Sequence, residues 1–94
     1  MSEPAVSAVA LEARLREAFA PSLLEVRDDS HLHAGHAGAR EGRHFGVRIV
    51  SERFDGLSRI ARHRLVHDAL GAWMQRGIHA LALTALSPAE AASH

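Results

Sequence analysis

Residues 28–42 read Asp-Asp-Ser-His-Leu-His-Ala-Gly-His-Ala-Gly-Ala-Arg-Glu-Gly. The stretch places His31, His33 and His36 within six residues. It is rich in glycine and lacks periodic apolar positions, so neither a 3.6-residue nor a two-residue repeat can be drawn through it. It is therefore read as a connection, and what it connects decides the fold. Upstream, Leu23 to Asp28 sets Leu24 and Val26 against Glu25 and Arg27, the alternation of a half-buried strand. Downstream, His44 to Ser51 is the clearest strand. Phe45, Val47 and Ile49 share one side, His44, Gly46, Arg48 and Val50 the other, and β-branched residues prevail.

Working outward, Ala8, Leu11, Leu15, Ala18 and Phe19 recur at helical spacing, with Glu12, Arg14, Arg16 and Glu17 off the stripe. A helix is expected from Ala5 to Phe19, stopped by Pro21, after a short disordered lead. Beyond a turn at Glu52 to Gly56, Leu57 to Arg76 reads as helical. Val66, Ala69, Leu70 and Trp73 share a face, but Ile60 lies about 120° round from Val66 in a continuous helix. The positions that would extend the face are the polar Arg62 and His63, so a break is expected near Arg59 to Arg64. Gly77 is a candidate C-cap. His79 to Leu86 is the third strand, with Leu81 and Leu83 alternating against small residues. Pro88 ends it, and a frayed or weakly helical tail is expected after that.

The order α-β-β-α-α-β predicts an α+β fold, with helices on one face of a three-stranded mixed sheet. A strand-helix-strand connection normally returns parallel to the strand it left, and often beside it. The third strand should then start at the edge where the second starts, bringing His79 near His33 or His36. At 94 residues the chain is read as one domain, 1–94, with an ordered core of about 6–87 and flexible termini.

Composition narrows the function classes. Cysteine is absent, which removes disulfides, CxxC redox chemistry and all-thiolate metal sites; a soft metal centre would need sulfur from a partner. Eleven arginines balance eleven acids and no lysine is present, so the chain is no generic nucleic-acid coat, although a local basic patch is compatible with that balance. Eight histidines imply a net charge that rises below about pH 6.5. No signal-peptide pattern and no run near ~18 apolar residues is seen, so the expected compartment is the cytoplasm.

His31-x-His33-x-x-His36 carries ligands suited to Zn²⁺ or another imidazole-liking metal, or else is a solvated polar loop. His79 is either a ligand or a strand-end histidine bonded to backbone. Arg53, Arg59, Arg62 and Arg64 form either a phosphate-facing patch or a solvated face. Gly35-His36-Ala37-Gly38 has the letters of a KH clamp but joins strands, whereas that clamp joins helices. No Ser-His-Asp set, P-loop or dinucleotide fingerprint is visible, so no catalytic residue is assigned and the chain is read as no enzyme.

Several of these residues together resemble one family. Leu24-Glu25-Val26 with Asp28-x-Ser30-x-x-His33, His44-Phe45, Ile49-Val50-Ser51-x-x-Phe54-x-Gly56, Arg62-His63-Arg64-x-Val66, and Ile78-His79-Ala80-Leu81 with Pro88 look like the BolA family. They span about residues 8 to 90, and the loop is similar to the histidine-loop subgroup. The resemblance implies a KH-like fold and a heterodimer with a cytosolic monothiol glutaredoxin. That pair shares a [2Fe-2S] cluster held by the glutaredoxin cysteine, a glutathione thiol, His79 and a loop residue. Alignment on Ser-x-x-His makes the loop ligand His33, with His36 as the alternative. The role implied is iron–sulfur trafficking or iron and redox regulation. The same resemblance also implies DNA-binding transcriptional regulation through the helix-turn-helix region and its arginines, and leaves open a homodimer of the free protein.

Overall fold

The computed structural model describes residues 7–29 and 43–93, with every side chain among them except those of Arg76 and His79. Helix α1 (Ala8–Phe19) begins where the Ser7 side chain accepts from the Ala10 amide at 3.1 Å, satisfying a donor the first turn leaves unpaired. Leu11, Leu15 and Phe19, spaced by four, are its buried stripe; Arg16 and Glu12 pair at 2.8 Å on the solvent side. The helix stops at Ala20, left-handed at φ 43°, with Pro21 next. Ser51 donates its hydroxyl to the Phe19 carbonyl at 2.7 Å, occupying one of the acceptors that a helix end leaves open.

Strands β1 (Leu23–Asp28), β2 (Arg43–Val50) and β3 (Ile78–Leu86) form one sheet in the order β1-β2-β3. β1 pairs antiparallel with β2, Val26 opposite Val47, and β3 pairs parallel with β2, Leu83 opposite Val47. The crossover expected from the element order is therefore present, and the sheet is mixed. Its inner face carries Phe45, Val47 and Ile49 onto Leu11, Leu15 and Phe19 of α1 and onto Phe54, Val66, Leu70 and Trp73. Burying each such side chain is worth about 1.5–3 kcal/mol, and this layer holds the domain together. Phe54 sits in a single 3-10 turn (Glu52–Phe54), its ring 5.2 Å from that of Phe19.

The long helical region corrects the sequence reading. α2 (Arg59–Leu70) runs without a break through Arg59 to Arg64, and its buried positions are Arg62, Val66 and Leu70. Arg62 continues the inward face because its charge is met there, as described below. The break comes at Gly71, whose φ of 57° and ψ of −131° end α2 before the single turn α3 (Trp73–Arg76). Gly77 follows at φ −123°, outside the left-handed region of a glycine cap. The tail is a short helix, α4 (Pro88–Ala92), with a full capping box between Ser87 and Glu90. Among the described residues no helix is long and apolar enough to cross a membrane.

Candidate metal-binding rim and basic surface

The segment 30–42 leaves β1 at Asp29 and returns at Arg43. Its neck is tied on both sides. Arg43 places Nη1 2.7 Å from Asp28 Oδ2, and the Asp29 amide donates to the His44 carbonyl at 2.7 Å. Asp29 also lies 3.7 Å from the Arg27 guanidinium. Sequence reading does not single out Arg43, although a cation opening the strand that faces Asp28 and Asp29 is the available signal.

β3 arrives at the same rim. The Arg43 amide donates to the Gly77 carbonyl at 3.1 Å, and Arg43 is paired with Ile78. The next pair is His44 with Ala80, so β3 uses two residues where β2 uses one, and His79 is the extra residue. Such a bulge bends its strand and breaks alternation locally. Strict alternation had put His79 in phase with Leu81 and Leu83; the pairing has this irregularity instead. The backbone thus brings position 79 beside the residue at which the histidine-rich segment re-enters the sheet. His31, His33 and His36 lie outside the described residues, as does the side chain of His79. Among the described residues, no group of three or more His, Cys, Asp or Glu is placed to hold a metal ion.

The arginines named from sequence part company. Arg53, Arg59 and Arg64 are exposed. Arg62 is 9% exposed and bonds inward: Nε to the Leu57 carbonyl at 2.9 Å, Nη1 to the Ala85 carbonyl at 3.0 Å, and Nη1 to Glu90 Oε1 at 2.5 Å. Its guanidinium ties α2, β3 and α4 together, which takes it out of the solvent-facing basic set. The Ser87 amide and then the Arg62 guanidinium, both hydrogen-bonded to Glu90, hold its carboxyl at about 2, well below the usual range.

This architecture has close counterparts. Residues 15–90 match the family described as BolA-like protein. The chain belongs to that family. BolA-like protein 1 of Mus musculus is 46% identical over 81 residues, covering 86% of this chain and 58% of that protein, so the chain spans little more than half of that relative's length. The DNA-binding transcriptional regulator BolA of Vibrio cholerae is 42% identical over 73 residues, 78% of this chain and 67% of that one. Among solved structures, the BolA domain of SufE1 from Arabidopsis thaliana superposes with a TM-score of 0.78 at 42% identity, covering 92% of this chain and 99% of that one. The BolA-like fold expected from the quoted motifs is the fold observed.

Proposed function

We propose that this BolA-like chain is a non-enzymatic adaptor that binds a monothiol glutaredoxin and co-ligates a [2Fe-2S] cluster through His79 and His33, with His36 as the alternative loop ligand. The observation that carries the reading is the parallel β2–β3 register, which sets position 79 one residue from the partner of Arg43. The donor chemistry fits half a site. The chain holds no thiol, and the two carboxylates at the neck, Asp28 and Asp29, face the guanidinium groups of Arg43 and Arg27 at 2.7 Å and 3.7 Å, which favours imidazole as the donor type of this rim. The missing ligands are thiolates, supplied in trans by the glutaredoxin cysteine and glutathione. Neutral imidazoles in place of thiolates remove negative charge from a cluster, raise its reduction potential and make it acid-labile. Those properties suit iron–sulfur trafficking or iron and redox sensing in the cytoplasm.

Mixing the chain with a cluster-bearing, glutathione-loaded monothiol glutaredoxin is expected to change the visible absorption and circular dichroism of the cluster. Unaltered spectra with His79→Ala and with the double variant His33→Ala/His36→Ala would reject the ligand assignment.

A second reading is DNA-binding regulation, favoured by the likeness to the Vibrio cholerae regulator. On this fold it rests on Arg53, Arg59 and Arg64, with Arg62 spent internally. It predicts sequence-dependent binding whose logarithm falls steeply with the logarithm of salt concentration.

A further inference from the structure

The far end of β3 carries a second surface. In a parallel ladder, one residue of a strand bonds through both its amide and its carbonyl to the two neighbours of its partner, and the partner's own groups point the other way. The Arg43 amide to the Gly77 carbonyl and the Ser51 amide to the Leu86 carbonyl bracket the β2–β3 ladder. Past the bulge at His79, where the parity set by Arg43 and Gly77 shifts by one, odd-numbered residues of β2 bond to even-numbered residues of β3, as Ser51 does to Leu86. The main-chain groups of Leu81, Leu83 and Ala85 consequently face the outer edge of the sheet. The Arg62 guanidinium, bonding the Ala85 carbonyl from that side, agrees with this assignment. β3 is an edge strand, and open edges are templates for further pairing.

A groove of about 230 Å³ runs along this edge, lined by Leu83, Thr84, Ala85 and Leu86 of β3 and by Arg59 and His63 of α2. Arg59 and His63 are one helical turn apart, so both stand on the same wall. The groove thus offers the main-chain groups of Leu83 and the amide of Ala85 on its floor, the Ala85 carbonyl being taken by Arg62, and cationic and donor groups on one side. From these observations we propose that the β3 edge beside α2 receives an extended acidic peptide segment of a partner protein, which adds as a fourth strand and sets carboxylates against Arg59 and His63. Strand addition supplies affinity through the main chain and specificity through the flanking pockets. Charge decides against a second copy of the chain. Two-fold edge-to-edge pairing would lay both α2 helices over the same seam and bring Arg59 towards its twin. The floor of the groove starts four residues beyond His79, about 13 Å along the strand, so peptide and cluster rim are separate sites on one element.

The test is a random dodecapeptide library displayed on phage and selected against the full chain. Enrichment of Asp and Glu in the selected sequences is expected, with the bias inverted towards Lys and Arg on the double variant Arg59→Glu/His63→Glu. The best selected peptide, made synthetically, should shift the amide resonances of Leu83, Thr84 and Ala85 and slow hydrogen exchange at Leu83 and Ala85. Arg59→Ala should weaken it about 2- to 5-fold, the range for an exposed charge pair. Ala85→Pro, which removes an edge-facing amide, should abolish binding; Arg59→Ala, on the surface, remains decisive if the proline variant fails to fold. Selected sequences without acidic bias, or shifts mapping elsewhere, overturn the proposal. So does concentration-dependent dimerisation that protects the same amides without peptide, and so does a single-stranded DNA oligonucleotide that moves them more strongly.

Discussion

Replacing Arg62 by Met keeps the apolar stem and removes the guanidinium, isolating what its hydrogen bonds contribute. Two of them go to backbone carbonyls, Leu57 at 2.9 Å and Ala85 at 3.0 Å, from a side chain only 11% exposed. A hydrogen bond from a charged donor is worth about 1.5–3 kcal/mol, and an acceptor left without a partner in a buried setting costs about 1–3 kcal/mol. The Leu57 and Ala85 carbonyls lie near the surface and water recovers part of this, so about 2–3 kcal/mol for the pair is the working figure. The Glu90 contact acts in the same direction, from a solvated carboxylate. For a domain of this size each kcal/mol lowers Tm by about 4–8 °C, so Arg62→Met should melt roughly 10–20 °C below the parent. Urea unfolding followed by the fluorescence of Trp73, the single tryptophan, reads the same loss as a lower midpoint at unchanged slope. A change below about 0.5 kcal/mol, the ordinary result for a surface substitution, would refute the inward role of Arg62 and return it to the solvent-facing arginines.

Glu90→Gln isolates the acid dependence of the same tie. The carboxyl is depressed to about 2 from 4.5 in the folded chain, so its stabilisation is fully present above about pH 4.5 and is lost as pH falls through about 2. The stability difference between parent and variant, measured by urea unfolding across that window, should be constant above it and shrink towards its acid end. Gly71→Ala forces an L-residue to φ 57° and ψ −131° and should cost about 1–3 kcal/mol through backbone strain, since its Cβ would meet only the Asp68 carbonyl at an ordinary 3.9 Å. Gly46→Ala should be nearly neutral, within about 0.5 kcal/mol. Its Cβ would fall 2.2 Å from the Arg27 guanidinium, but that group is the end of a flexible side chain, 70% exposed, and can swing away; a loss above 2 kcal/mol would show that Arg27 is held in place.

Much of this fold was legible because period and burial agree. The two-residue alternation of Phe45, Val47 and Ile49 and the four-residue spacing of Leu11, Leu15 and Phe19 are the patterns of elements with one buried face, and both are buried as read. The parallel placement of β3 followed from the helical connection that joins it to β2. The reading failed at Arg62, where an apolar-face rule treated a charged residue as an interruption. A guanidinium can occupy an inward position when carbonyls and a carboxylate from three elements converge on it, and those partners, Leu57, Ala85 and Glu90, lie 5, 23 and 28 residues away. The glycine that does end α2 was overlooked because Leu70 and Trp73 keep apolar phase across it. The bulge at His79 was equally hidden, since register belongs to the pairing of two strands and not to either sequence. At the rim, the histidines were legible in the sequence as candidate ligands, whereas the Asp28–Arg43 tie at the neck depends on the register of β1 with β2.

The central claim, two imidazoles from this chain on a cluster completed by foreign thiolates, is tested most directly by pulsed EPR of the reduced complex with glutaredoxin, the BolA-like chain being labelled with ¹⁵N-histidine. Two nitrogen couplings from the labelled chain are predicted, one vanishing in His79→Ala and the other in His33→Ala or His36→Ala. A reduced complex that shows no histidine nitrogen from this chain, or that keeps both couplings without His79, would contradict it.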